Sequence, residues 1–223
     1  MSVRVKICGV RTTADARAAV AAGADYLGVN FHPPSPRFVD AAQARAIVEA
    51  VVGTPVVGVF VDRPRADVER IAADVGLAAL QFHGDEDPAY CMGWNRPVLK
   101  ALRVRPGDDA AALASRYRTD YILLDSHVAG VPGGTGVRLD PESARGIPPA
   151  RLFVAGGLTP ETVADVVRAL RPYAVDVASG VEERPGIKDH GKIDAFIRRA
   201  SSAWPSVLLI LCAPVCRRSS RFR

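Results

Sequence analysis

The chain has 223 residues, 48% hydrophobic and 24% charged, which suits one globular domain with a sizeable core. Its net charge of +5 is mostly local: residues 217–223 hold four of the 29 basic residues and no acid, leaving 25 basic against 24 acidic elsewhere. A near-neutral body argues against a nucleic-acid face, and no run approaches the ~20 apolar residues that a membrane-spanning helix needs. The four cysteines include no C-x-x-C pair, so neither a disulfide framework nor a metal motif is indicated. Arg4 and Lys6 are followed by no apolar run that would make a signal peptide. The expectation is a reduced, cytoplasmic protein with neither a nucleic-acid nor a membrane partner.

Short β-branched runs alternate with Ala- and Arg-rich helical stretches, with no composition break that would mark a linker. VRVKI (3–7) reads as the first strand, and Thr12, Thr13 and Asp15 open a helix to Ala22 that Gly23 ends. DYLGVNF (25–31) is strand two, and Asp40 caps a helix over 40–51. PVVGVFV (55–61) is strand three, before a helix over 65–76. AALQF (78–82) is strand four, with a helix expected over 86–93, and PVLKAL (97–102) is strand five, with a helix over 108–116. DYILLD (120–125) is strand six, followed by a weak helical segment near 140–145. RLFVA (151–155) is strand seven, and Thr159 with Pro160 starts a helix to 170. AVDVAS (174–179) is strand eight, and the last helix covers 191–201.

Eight βα units predict a parallel sheet, and eight is the number that closes into a (β/α)8 TIM barrel. The open alternative would usually carry G-x-G-x-x-G after strand one, where this chain has C-G-V-R. The barrel is assigned to residues 1–206 and an atypical apolar-then-basic tail to 207–223.

Barrel chemistry sits at the C-terminal strand ends. There stand Cys8, the HPPSPR loop with Arg37, His83, Asp125, Gly156 with Gly157, and Ser179 with Gly180. Glycines after strands seven and eight let backbone N–H groups approach an anion, which predicts phosphate binding; GGTG (133–136), with Gly134, is a candidate to close over the same ligand. Cys8 and Asp125 are candidates for a base and an acid on two sides of a substrate. Arg37 lies in a proline-stiffened loop, and its guanidinium suits a carboxylate. Lys6, two residues before Cys8, points into the barrel and needs a partner, for which Asp176 on the adjacent strand eight is the candidate. His83 is read as lining the mouth or as a satisfied core histidine.

VKICGVRTTADA (5–16), GVNFHPPSPR (28–37), LQFHGDE (80–86), LLDS (123–126), GGTG (133–136), VAGGLTPE (154–161), DVASGVE (176–182) and PGIKD (185–189) together resemble the phosphoribosylanthranilate isomerases, in order and spacing, from about residue 3 to 200. The resemblance implies an Amadori rearrangement of N-(5-phosphoribosyl)anthranilate to the 1-deoxyribulose product, with no metal or organic cofactor. It implies Cys8 as general base, Asp125 as general acid and Arg37 near the anthranilate carboxylate. His83, Gly134, Gly156, Gly157, Asp176, Ser179 and Gly180 are substrate-binding candidates, and a monomer or homodimer is expected. Phe82 stands where the family usually has leucine, and residues 207–223 match nothing in it. One rival is the histidine-pathway isomerase, which resembles a half-repeated barrel with aspartates at both proton-transfer positions; Cys8 and the absence of a visible internal repeat count against it. Another is a non-catalytic phosphate-binding barrel, which would not explain Cys8 facing Asp125.

Overall fold

The computed structural model describes residues 2–105, 107–125 and 144–204. Eight parallel strands close into one barrel in chain order, with the eighth hydrogen-bonded back to the first. They are β1 (Arg4–Cys8), β2 (Tyr26–Asn30), β3 (Val56–Phe60), β4 (Ala79–Phe82), β5 (Val98–Arg103), β6 (Tyr121–Asp125), β7 (Leu152–Ala155) and β8 (Ala174–Val177). Helices α1 (Thr13–Ala21), α2 (Ala41–Ala50), α3 (Arg65–Val75), α4 (Ala110–Ser115), α5 (Val163–Leu170) and α6 (His190–Ala203) surround it.

Local sequence accounts for most of these boundaries. Thr12 accepts from the Asp15 N–H ahead of α1, and Asp40 with Gln43 forms a capping box ahead of α2. Strands are apolar on their outer faces and pack Ile7, Leu27, Leu80 and Val175 against the helices. The inner faces bury Leu99, Ala101, Leu123, Phe153, Ala155 and Ala174. Tyr26, Tyr121 and Tyr173 close the N-terminal end beneath them, with Tyr26 and Tyr173 hydroxyls 2.8 Å apart. With that end filled by side chains, the opposite mouth is the place for a ligand.

Three expectations change. No α-helix forms over 86–93. Asp87 makes one turn, its side chain accepting from the Tyr90 N–H at 2.7 Å and its carbonyl from Cys91 at 3.2 Å. Gly93 then takes φ +72, and Arg65 satisfies the carbonyls of Tyr90, Met92 and Gly93 that further helix would have used. Arg65 also lies 3.9 Å from the Trp94 ring centroid, so packing onto a neighbouring helix replaces a helix of its own. Helix α5 starts at Val163, because residues 160–162 form a turn in which Thr159 accepts from Glu161 instead. Strand eight stops at Val177; Ser179–Val181 is a 3₁₀ turn leading into an unforeseen two-stranded ribbon, β9 (Glu182–Arg184) with β10 (Ile187–Lys188).

The 133–136 loop, most of the segment near 140–145 and the tail 207–223 lie outside the described residues. The last barrel helix ends at Ala203. Deleting 207–223 is therefore expected to leave the melting temperature and turnover close to those of the full chain. A truncated chain that came out insoluble would show that the apolar part of the tail packs on the barrel.

Candidate active site

Cys8 ends β1 and Asp125 ends β6, and both side chains are only partly covered. Strands seven and eight lie between them around the barrel, so the two glycine loops stand on the arc that separates the thiol from the carboxyl. Gly156 and Gly157 take φ +88 and +63, a conformation that L side chains rarely adopt. At Gly180 a Cβ would stand 1.8 Å from the Leu158 carbonyl oxygen, so only glycine lets the two loops meet. Ser179 is exposed beside them.

His83, just past β4, reaches Asp125 across the end of β5, with Nε2 3.1 Å from Oδ2. Its other ring nitrogen, Nδ1, is 2.9 Å from Gln81 Nε2. His83 thus bridges Gln81 and Asp125, and the imidazole tautomer sets which way each of the two contacts donates. Arg103, the last residue of β5, donates to the His83 carbonyl at 3.0 Å and steadies the same corner. The loop below is tied by Glu86, which accepts from the N–H groups of Asp62 and Gly84 and pairs with buried Lys100 at 2.7 Å.

On the other side, Arg37 is no solvated surface arginine. Its Nε and Nη2 each donate to Glu182 at 2.7 Å, a two-point clamp. Lys188 donates to the same carboxylate at 3.0 Å and to the Ala178 carbonyl at 2.9 Å. Burial opposes the Glu182 charge, yet Arg37 and Lys188 hold the group below the ordinary glutamate value. Among the described residues Arg37 Nη1 makes no hydrogen bond, so the clamp fixes the guanidinium and leaves one edge for a ligand.

Lys6 and Asp176 do meet, at 2.9 Å, both below the mouth. Burial disfavours the Lys6 charge, but Asp176 and Cys8 raise the ammonium above its usual value. Removing one partner alone would strand a buried charge at a cost of about 3–5 kcal/mol. Asp176, expected among the substrate-binding groups, accepts from Lys6 through its Oδ1. The Cys8 thiol is pushed up first by burial, drawn down by Lys6, pushed up by Asp176 and drawn down by Lys188. The net direction is upward.

The profile of the family described as N-(5'-phosphoribosyl)anthranilate (PRA) isomerase matches residues 5–199. The chain belongs to that family. It is 50% identical over 198 residues to the N-(5'-phosphoribosyl)anthranilate isomerase of Pseudomonas fluorescens strain Pf0-1, covering 88% of this chain and 97% of that one. It is similar to the solved phosphoribosyl anthranilate isomerase of Thermus thermophilus, at 38% identity and a TM-score of 0.79, over 90% of this chain and 99% of that one. A solved relative at 36% identity and a TM-score of 0.77, over 90% and 99%, is in complex with reduced 1-(o-carboxyphenylamino)-1-deoxyribulose 5-phosphate. The activity is that of the family, an isomerisation in tryptophan biosynthesis, and both rival readings fall away.

Sequence reasoning missed Glu182, Lys188 and Gln81. Gln81 did carry a signal: it is a polar residue inside a strand otherwise apolar. Glu182 stood in the DVASGVE motif, but its partner is 145 positions away.

Proposed function

We propose that the chain converts N-(5-phosphoribosyl)anthranilate to 1-(2-carboxyphenylamino)-1-deoxyribulose 5-phosphate with Cys8 as base and Asp125 as acid. The observation that carries this assignment is the thiol at the end of β1 and the carboxyl at the end of β6, with two glycine loops on the arc between them. The phosphate would sit on the backbone amides of Gly157 and Gly180, placing the sugar between the two groups. The solved relative in complex with a reduced phosphorylated product supports the same ligand class.

The chemistry balances without a redox partner. Asp125 gives its proton to the ribose ring oxygen as the C1′–O bond breaks, and the anilino nitrogen supplies the pair that makes the iminium. The cation acidifies the C2′ hydrogen, which the Cys8 thiolate removes; that electron pair forms the C1′–C2′ double bond and neutralises the nitrogen. The resulting enolamine ketonises when C1′ gains a proton and the C2′ hydroxyl loses one.

Turnover of the anthranilate substrate by the purified chain, read by fluorescence, tests the activity. Crystals soaked in sulfate test the phosphate end: density is expected on the amides of Gly157 and Gly180, and density confined to surface arginines would refute it. At the carboxylate end, Arg37→Ala is expected to raise KM while changing kcat little, because a contact remote from the reacting carbons serves ground and transition states alike. Equal losses in kcat and kcat/KM would instead put Arg37 at the chemistry.

A further inference from the structure

Lys6 forms no part of the base, the acid or the ligand loops described above, yet its side chain is wholly buried directly beneath Cys8. The two residues share the inner face of β1, and β2 supplies glycine opposite them, with Cys8 in register with Gly28. A Cβ at Gly28 would stand 2.8 Å from Cys8 Sγ and 3.0 Å from Lys6 Nζ. Sulfur and nitrogen thus crowd the same point, in space that any side chain on β2 would take. Asp176 on β8, in register with Lys6, holds the nitrogen from the other side at 2.9 Å.

We propose that Lys6 is a positioning residue for the isomerisation: its buried ammonium, anchored by Asp176 and seated against Cys8 Sγ, offsets part of the burial and eases ionisation of that sulfur to the thiolate that takes the C2′ proton. The proposal rests on the reading of Cys8 as the base.

The charges around the sulfur favour Lys6 over its neighbours for this task. Lys6 on β1, Asp176 on β8, Lys188 on β10 and Arg37 after β2 all act on the thiol or are acted on by it. Arg37 and Lys188 are both committed to Glu182. Asp176 is an anion and opposes a thiolate. Lys6 is the largest of the influences that lower the thiol, and its own ammonium is held above the ordinary lysine value, so it is charged where the reaction needs it. Burial raises the thiol, and an adjacent fixed cation is the available physical correction.

The test reads the thiolate directly. The full chain is treated with iodoacetamide across a range of pH, and modification of the Cys8 peptide is followed by mass spectrometry, apart from the peptides of the other cysteines. Lys6→Gln removes the charge but keeps a donor for Asp176. The paired change Lys6→Met with Asp176→Asn removes the buried pair as a neutral unit and stays informative where the single variant fails to fold. In folded Lys6→Gln the Cys8 alkylation rate near neutral pH is expected to fall about tenfold or more, and its midpoint to move to higher pH; the paired variant, which also loses the opposing Asp176 charge, is expected to move the same way by less. kcat is expected to fall with it, while product affinity holds. An alkylation profile that superimposes on the parent's in a folded variant overturns the proposal and leaves Lys6 a purely structural partner of Asp176. Failure of the underlying reading looks different: Cys8→Ser would stay active, whatever Lys6 does to the thiol.

Discussion

Cys8→Ser is expected to lower kcat by about 10²- to 10⁴-fold, the usual contribution of a general base. Sulfur and oxygen are close in size, so the substitution leaves the shape of the mouth nearly intact. What it removes is acidity, because a serine hydroxyl yields no comparable base at working pH. Product affinity, measured by calorimetry, should be little changed, since the phosphate amides and Arg37 are untouched. The pH dependence has a definite sign. Burial raises the Cys8 thiol, so in the free enzyme the basic form grows as pH rises and is lost as pH falls. The iminium cation formed when the ring opens would stand near the sulfur and favour the thiolate at the moment it is needed. Alkylation at Cys8 should therefore speed up with pH in the free enzyme and be blocked by product. A Cys8→Ser enzyme within about threefold of the parent, far short of a general-base effect, removes Cys8 from the mechanism.

Asp125→Asn is expected to cost a similar ~10²- to 10⁴-fold in kcat, for the opposite reason. The amide is isosteric and retains an oxygen for the His83 contact, which spans 3.1 Å in the parent. Geometry is thus kept while the proton that opens the ribose ring is lost. Product has its ring already open, so its affinity should hold, and the loss should fall on substrate turnover alone. His83 decides the alternative outcome. If Asp125→Asn remained within about tenfold of the parent, below the general-acid range, ring opening would draw its proton from another donor. His83 Nε2, 3.1 Å from Asp125 Oδ2, is then the candidate to test.

Most of the barrel was legible in the sequence because its signals are local. Strand runs, caps such as Asp40 and glycine stops such as Gly23 act within a few residues, and each appears where the composition placed it. The segment 86–93 failed for an equally physical reason. Its helical composition is genuine, but Arg65 from the preceding helix takes the carbonyls and Trp94 takes Arg65, a competition that no single window contains. The ribbon of β9 and β10 is too short to announce itself by periodicity.

The site divides along the same line. The sequence by itself placed these groups close to the strand ends, and alternation fixed which residues share a face: Lys6 with Cys8, Asp125 at the close of β6, glycines after β7 and β8. It also determined the family, through motifs spread over nearly the whole chain. Only the tertiary structure decided what those groups touch. Barrel closure brings Asp176 beside Lys6 from 170 positions away, the ribbon after β8 carries Glu182 back to Arg37, and β5 spaces His83 from Asp125 by one strand. Such contacts depend on strand register and on ring closure, which are set by the packing of the whole barrel and have no signature in any one segment.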